Sequence, residues 1–232
     1  MKNKLSNMKT SNRFNLPQEI ILYGGTGQSK VVRPIIEYYG SKVVAVFDDT
    51  VGLSAPFDDI VFCIGFDSLL AWIKNKNEKE IGFCITIGNP HGNVRMKLHN
   101  RLDNLGLIPT KVVHPNACLA DNCEIGIGSQ IMAGAIIMPE AKIGKQCIIN
   151  TKASVDHECV LEDGCEVAPG ATLCGKVHMK FNSWVCAGAT VLPKITIGEN
   201  SIVGAGSVVI TDINDDSTVV GVPAKKIKKE IL

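Results

Sequence analysis

Membrane spans, excess charge and a secretion signal are all missing from this chain of 232 residues. No apolar run approaches the roughly 18 residues of a membrane-crossing helix, which excludes a membrane span from the expected structure. The net charge is +1 and no basic stripe occurs, which argues against nucleic acid as a main partner. The polar residues 1–16 lack an apolar signal core, and we expect them to form a flexible arm.

Paired cysteine motifs are missing too, although the chain has nine cysteines. No CxxC spacing indicates a metal or redox site. An odd number of cysteines without a secretion signal predicts reduced thiols in the cytoplasm. Four of them fall on the small-residue position of a repeat, where a thiol behaves as a small buried apolar group: Cys123, Cys147, Cys159 and Cys165.

A six-residue repeat runs without interruption from Val113 to Ile213. Its first position is always Val, Leu, Ile or Met. Four positions later the residue is Ala, Ser or Cys in every hexad except those with Val177, Ile195 and Ile213. A globular sandwich would not keep one phase so long, whereas a hexapeptide β-solenoid must, because each hexad is one short strand and a corner. Three hexads form a triangular coil, and both repeated positions point inward.

The fourth residue of each hexad is expected at a corner of the prism. Two edges consist mainly of Gly and Asn, which tolerate the positive φ of a sharp corner. The first of these edges consists of Gly134, Lys152, Gly170, Gly188 and Gly206. The second consists of Gly128, Gln146, Gly164, Asn182 and Asn200. The third edge is charged and reads Asn122, Glu140, Glu158, Lys176, Lys194.

The first half of the chain has a different pattern, in which short apolar strands alternate with helical segments. Strands are predicted at 19–23, 43–47, 60–64 and 83–87, and helices at 31–39, 67–76 and 92–104. This alternation predicts a small parallel α/β sheet of the Rossmann-like kind. Ligands of such sheets bind at the carboxyl ends of the strands.

A glycine-rich loop, Gly24 to Lys30, follows the first strand and precedes a helix. Its glycines and the helix N-terminus suit a phosphate, which favours a nucleotide-sugar diphosphate as ligand. NAD is a weaker alternative, since Lys30 replaces the third glycine of a dinucleotide fingerprint, and a structural turn without a ligand is another. Asp48 and Asp49 either accept hydrogen bonds from a base or ribose, or close the second strand as solvated carboxylates.

One histidine is placed for chemistry. His157 can act as a general base near neutral pH, and the adjacent Glu158 can orient it. One coil later, at the same place in the period, lies Gly175, whose N–H could stabilise an oxyanion. The alternative is a surface histidine beside a surface glutamate. A zinc site of His114, His157 and His178 is not expected, because these residues are spread around the prism.

The chain resembles bacterial sugar O-/N-acetyltransferases with a left-handed β-helix, a group that is similar to sialic acid O-acetyltransferases and includes N-acetyltransferases of nucleotide-linked 4-amino-4,6-dideoxy sugars. The matching pieces are YGGTGQSK, the FDD after the second strand, the IGN at 87–89, the NTKASVDHECVLEDGCEVAPGATLCGKV segment and the closing GVPAKKI. The match extends from about residue 19 to the end of the chain.

This resemblance implies a left-handed parallel β-helix, a homotrimer and acetyl-CoA bound between neighbouring prisms. It implies His157 as the base, Glu158 as its partner and Gly175 as the oxyanion donor. The nucleotide-sugar would be held by Gly25, Gly27, Gln28, Asp48, Asp49, Gly88 and Asn89. Acetyl-CoA would contact Glu166, Gly175, Ala187 and Ala205. Glu166 stands where some relatives have a second histidine.

We therefore expect an acetyl-CoA-dependent N-acetyltransferase acting on a nucleotide-linked amino sugar by direct transfer, without a metal. An O-acetyltransferase of a sialic-acid-like sugar and a non-catalytic nucleotide-sugar-binding scaffold are the alternatives. The predicted domains are a flexible arm at 1–16, the Rossmann-like domain at 17–112, the β-helix at 113–214 and a tail at 215–232. The lysines near the C-terminus are expected on a solvated helix.

Overall fold

The computed structural model describes residues 15–74, 76, 80–88 and 90–227. The chain divides into two compact units. The sheet unit contains the residues up to Ile87 together with Arg101–Pro115. The coil unit contains Gly88–Asn100 and the residues from Asn116 onward.

The sheet unit is a five-stranded parallel sheet in the order β3-β2-β1-β4-β5. Its strands are β1 Glu19–Tyr23, β2 Lys42–Asp48, β3 Val61–Ile64, β4 Ile81–Ile85 and β5 Ile108–Pro109. Its helices are α1 Gly27–Tyr38 and α2 Phe66–Lys74. A third helix, α3 Gly92–Asp103, belongs to the coil unit up to Asn100 and to the sheet unit from Arg101. The Rossmann-like parallel sheet expected from the sequence is confirmed.

The core of the sheet unit forms because β1 is flanked by strands on both sides and has no solvated face. Ile20, Ile21 and Leu22 are fully buried, which is typical of a central parallel strand. From α1, Val32 and Ile36 are fully buried as well. Several boundaries differ from expectation. Helix α1 begins at Gly27 rather than at residue 31, and β4 spans Ile81–Ile85 rather than residues 83–87.

The coil unit is a left-handed parallel β-helix with three faces of two-residue strands, as the hexads predict. Ile137 pairs with Val155 and Val155 with Leu173, so one coil takes 18 residues (155 − 137). The first face contains Cys118–Leu119, Ile136–Ile137, Ser154–Val155, Thr172–Leu173, Thr190–Val191 and Val208–Val209. The second contains Glu124–Ile125, Lys142–Ile143, Val160–Leu161, His178–Met179 and Thr196–Ile197. The third contains Gln130–Ile131, Ile148–Ile149, Glu166–Val167, Trp184–Val185, Ile202–Val203 and Thr218–Val220.

The interior of the coil is built from the two repeated positions. The aliphatic residues from Ile131 to Val209 are at most 4% exposed and stack on their counterparts in the coils above and below. The small position lies just after each corner, where space is limited and Ala, Ser and Cys predominate. Val177, Ile195 and Ile213 occupy the same position and are buried as well, so the later coils accept a larger side chain there. Cys147, Cys159 and Cys165 are buried there, and all nine cysteines are free thiols.

The corners adopt the left-handed backbone conformation on all three edges. Glycines such as Gly134 have φ near +68°, as expected. The charged edge follows the same geometry, with φ of +57° at Glu158 and +63° at Lys176. Side-chain-bearing residues rarely adopt this conformation, yet the ladder hydrogen bonds of neighbouring coils impose it here.

The C-terminal lysines do not form the expected helix. Lys225–Lys226 is a short strand that pairs antiparallel with Val219–Val220. The pairing arises because the preceding strand, Thr218–Val220, lies at the end of the third face and still offers free backbone groups. Lys228 and Lys229 lie outside the described residues.

The first part of α3 belongs to the coil unit, which the sequence did not predict. Arg95 is fully buried, and its Nε and Nη2 donate hydrogen bonds to the carbonyl oxygens of Gln146 (2.9 Å) and Gly164 (2.8 Å). Asn93 N–H donates to the Asn182 side chain at 3.0 Å. The helix therefore satisfies polar groups along one coil edge.

Candidate functional site

The corner between the strands Ser154–Val155 and Val160–Leu161 carries the expected histidine and glutamate. His157 Nδ1 lies 2.9 Å from Glu158 Oε2, and both side chains are about half exposed. An ionised carboxylate can only accept a hydrogen bond, so Nδ1 carries a proton, and in the neutral ring Nε2 is then the nitrogen with the lone pair. The corner therefore presents a solvent-accessible imidazole with a fixed tautomer.

Gly175 lies directly above the imidazole, one coil further along the chain. A Cβ built on Gly175 would lie 2.5 Å from both Cε1 and Nε2 of His157. Real Cβ atoms do not approach other atoms so closely, so only glycine leaves room for the ring. The coil register is kept by the hydrogen bond from Lys176 N–H to His157 O, 2.9 Å long.

The backbone N–H of Gly175 donates no hydrogen bond to any described residue. Several other corner amides at this position donate to nearby side chains. Examples are Thr151 N–H to Asn150 Oδ1 (2.8 Å), His157 N–H to Asp156 Oδ1 (2.7 Å) and Phe181 N–H to Glu162 Oε2 (2.9 Å). A free N–H beside a general base is the arrangement that an oxyanion requires.

The Glu158 carboxylate is ionised more readily than an ordinary glutamate. Its pKa is lowered chiefly by the hydrogen bond from His157 and then by the Lys176 ammonium. The negative charge stays on Glu158, where it can stabilise a protonated imidazole.

Two thiols near this corner are poor nucleophiles. Burial raises the pKa of Cys159 to about 11. Burial, followed by the charge of Asp156, also raises the pKa of Cys174. Because the thiolate is the reactive form, both groups are largely unreactive near neutral pH.

Of the residues expected to contact acetyl-CoA, Gly175 lies at the His157 corner and the other three lie elsewhere on the prism. Ala187 and Ala205 are exposed and stack one coil apart on the corner between the third and first faces, linked by the bond from Gly206 N–H to Ala187 O (2.9 Å). Glu166 is 6% exposed on the third face, where Asn150 Nδ2 donates to it at 3.3 Å. That face is opposite the His157 corner, so a single chain does not bring Glu166 and His157 together.

In the sheet unit, Asp48 lies at the carboxyl end of β2 and organises the glycine loop. Its Oδ2 accepts the Gly25 N–H at 2.6 Å and its Oδ1 the Thr50 N–H at 2.8 Å. Burial opposes ionisation of Asp48, but these donors outweigh it, and the pKa of Asp48 is lowered. Asp49 is exposed, and its Oδ1 accepts the Tyr23 hydroxyl at 2.6 Å.

The glycines expected to bind substrate differ in the space available for an added side chain. A Cβ on Gly25 would meet the Phe62 ring at 2.9 Å, whereas Gly27 and Gly88 have open space around them. Gln28 lies in the first turn of α1 and is partly exposed. Asn89, also expected to bind substrate, lies outside the described residues.

Several residues at this edge were missed by the sequence analysis. Gly24 has φ +115° and its Cβ would lie 2.5 Å from Thr86 O, so it is the glycine that the loop strictly requires. The Arg101 guanidinium lies 3.5 Å from the Phe66 ring centre, and the Phe66 ring lies 6.1 Å from that of Tyr23. Arg101 has no ionic partner among the described residues. No spacing in the sequence links Arg101 to this edge.

Neither a metal cluster nor a membrane helix occurs in the described part of the chain. No group of three or more His, Cys, Asp or Glu residues there could hold a metal ion. His178, considered above for zinc, pairs instead with Glu162, its Nε2 lying 3.0 Å from Oε1. No described helix is long and apolar enough to cross a bilayer.

Two known families match this chain. The PglD N-terminal domain matches residues 19–102, and the bacterial transferase hexapeptide (six repeats) matches residues 176–211. GDP-perosamine N-acetyltransferase of Escherichia coli O157:H7 is 30% identical over 103 residues, which are 44% of this chain and 46% of that relative. The match thus spans about half the length of this curated relative.

Solved structures match over more of the chain. A histidine-to-alanine variant of GDP-perosamine N-acetyltransferase from Caulobacter crescentus, in complex with CoA and GDP-perosamine, is 31% identical with a TM-score of 0.82, covering 91% of this chain and 97% of that one. The acetyltransferase domain of PglB from Neisseria gonorrhoeae, in complex with acetyl coenzyme A, is 26% identical with a TM-score of 0.80, covering 91% and 100%. The chain belongs to the hexapeptide-repeat family of nucleotide-sugar N-acetyltransferases, which are acyltransferases.

Proposed function

We propose that this protein transfers the acetyl group of acetyl-CoA to the 4-amino group of a nucleotide-linked amino-dideoxy sugar. The observation that carries the proposal is the His157 imidazole lying against Gly175, whose N–H is free among the described residues. The relatives from Escherichia coli and Caulobacter crescentus, named as GDP-perosamine N-acetyltransferases, support this reaction.

His157 acts as the general base. The sugar amine attacks the acetyl carbonyl carbon and forms the new C–N bond, while its proton passes to His157 Nε2. Glu158 Oε2 accepts a hydrogen bond from the Nδ1–H, with 2.9 Å between Nδ1 and Oε2, and the carboxylate stabilises the imidazolium that results. The exposed position of the ring allows a substrate amine to reach Nε2.

Gly175 stabilises the tetrahedral intermediate. Negative charge develops on the former carbonyl oxygen, and the Gly175 N–H donates to it. When the C–S bond breaks, the CoA sulfur takes the proton from His157 and leaves as a thiol. The transfer is direct, since burial keeps the nearby Cys159 thiol protonated.

The sheet unit binds the nucleotide part of the acceptor. We assign this role to the glycine loop with Gly25, Gly27 and Gln28, and to Asp49. Gly88, which belongs to the coil unit, and Asn89 stay predictions from the family resemblance. Asp48 contributes by holding the Gly25 amide in place. The Arg101 guanidinium, stacked on Phe66 and without an ionic partner among the described residues, suits a phosphate.

Acetyl-CoA binds along the exposed Ala187–Ala205 strip, and we propose that three copies of the chain assemble around such strips. One feature supports a homotrimer. The outward side chains of the first face carry no charge: Cys118, Ile136, Ser154, Thr172, Thr190 and Val208. Glu166 is buried on the third face, and its contact with acetyl-CoA stays a prediction.

The test is a CoA-release assay with 4-amino nucleotide sugars, beginning with GDP-perosamine and followed by UDP- and dTDP-linked substrates. We expect acetyl-CoA-dependent thiol release and a product whose added acetyl mass survives mild alkali, as an amide does. An alkali-labile product would establish O-acetylation instead. The absence of both turnover and a rise in melting temperature with millimolar acetyl-CoA would favour a non-catalytic scaffold. A cytoplasmic location stays a prediction.

A further inference from the structure

The charged edge of the coil places Lys176, which the proposed mechanism does not use, beside Glu158. Lys176 follows Gly175 and occupies the same corner position as Glu158, one coil further along. Its Nζ lies 3.1 Å from Glu158 Oε1, while the other carboxylate oxygen, Oε2, lies 2.9 Å from His157 Nδ1. One carboxylate therefore bridges the imidazole and an ammonium group.

The backbone geometry explains why these side chains meet. Lys176 and Glu158 both have left-handed φ angles, +63° and +57°, so their side chains leave the edge in the same direction. The Lys176 N–H donates to His157 O at 2.9 Å, which ties the Lys176 corner to the His157 corner. The side chains of His157, Glu158 and Lys176 are thus held in one stack by the coil register.

The groups around the imidazole are of both signs. Those on its own coil and on the adjacent coils at this corner are Asp156, Glu158, Glu140, Cys174 and Lys176. Asp156 is turned to the backbone, where its Oδ1 accepts the His157 N–H at 2.7 Å. Lys176 is the one cation of this set with a measured contact to the His157–Glu158 pair.

We propose that Lys176 is a positioning residue, which fixes the Glu158 carboxylate against His157 and offsets part of its negative charge. A carboxylate alone favours the protonated imidazole, which cannot act as a base. A cation on the far oxygen of that carboxylate reduces this effect, while the Nδ1 hydrogen bond still orients the ring. This inference rests on the proposed general-base role of His157.

The test compares Lys176→Met with Lys176→Arg and with the matched control Lys194→Met. Lys194 is exposed at the same edge one coil further along and has no ion pair among the described residues. Histidine-selective NMR follows ring protonation with pH, with the His157 signal assigned by its loss in His157→Asn. We expect His157 to become protonated at a higher pH in Lys176→Met, and at the wild-type pH in the other two variants.

The pH profile of kcat/KM provides the second readout. In Lys176→Met, we expect kcat/KM to fall about 3- to 10-fold at pH 6.5 and to stay within about twofold of wild type above pH 8.5, with the KM for acetyl-CoA unchanged. An unchanged ring titration, or an equal loss at every pH, would overturn the proposal. Because the NMR titration needs no substrate, it judges Lys176 even if the proposed acceptor is wrong.

Discussion

The imidazole of His157 occupies the space into which any side chain on Gly175 would project. The built Cβ lies 2.5 Å from Nε2, the nitrogen left free by the Glu158 hydrogen bond. Glycine here provides room for the imidazole and, at the same time, an unhindered N–H next to it. The proposed mechanism needs both, and they come from residues one coil apart.

Substitution of Gly175 tests this close approach. In Gly175→Ala the methyl group must displace the imidazole, and a misplacement of about 1 Å can cost roughly 10²-fold in rate. We expect kcat to fall by about that factor while acetyl-CoA still raises the melting temperature. Gly134→Ala, at a corner with φ +68°, is the control for a general effect of alanine in the coil. Equal turnover of Gly175→Ala and wild type would contradict the proposed geometry.

Removal of the base is the direct test of catalysis. His157→Asn should lower kcat by at least about 10²-fold, the usual contribution of a general base, without loss of acetyl-CoA binding. The coil offers a matched control in His178, which also pairs with a glutamate, at 3.0 Å, and is similarly exposed. His178→Asn should keep near-normal turnover. Similar losses in both variants would mean that a His–Glu pair merely supports the coil.

Because the pKa of Asp48 is lowered in the folded protein, we predict that the free energy of unfolding depends on pH. The folded pKa of Asp48 is lowered, so its contribution to stability is complete above the unfolded value of about 4 and is lost as the pH falls through the folded pKa. Asp48→Asn should therefore cost about 1–2 kcal/mol at pH 7 and progressively less below pH 4. Thermal unfolding between pH 3 and 7 measures this, with the exposed Asp58→Asn as the control. A constant difference across that range would show that the carboxylate charge is not responsible.

The coil could be predicted from the sequence almost residue by residue, because its register is fixed by a repeat that every strand obeys. The vertical relationship of His157 and Gly175 follows from that period alone. The shared use of Glu158 by His157 and Lys176 does not follow, since the period gives neighbours but not which oxygen each side chain contacts. In the structure, Oε2 lies 2.9 Å from His157 Nδ1 and Oε1 lies 3.1 Å from Lys176 Nζ.

The sheet unit was less predictable at its ligand edge. The alternation of strands and helices gave the parallel sheet, yet Gly24 was passed over in favour of Gly25, because the glycine pattern does not reveal which residue has positive φ. The contact between Arg101 and Phe66 could not be predicted, because the sequence of a helix does not show which other element it packs against. The Asp48 carboxylate accepts hydrogen bonds from the backbone N–H groups of Gly25 and Thr50, so both of its oxygens are engaged within the protein.

Burial of Arg95 determines where the C-terminal half of the protein can be cut. A fragment starting at the first hexad would leave the carbonyl oxygens of Gln146 and Gly164 without the guanidinium that they accept from. The smallest piece expected to fold by itself starts at Gly88, well before the repeat begins. A fragment designed to contain the complete coil therefore needs a helical segment that lies outside the repeat.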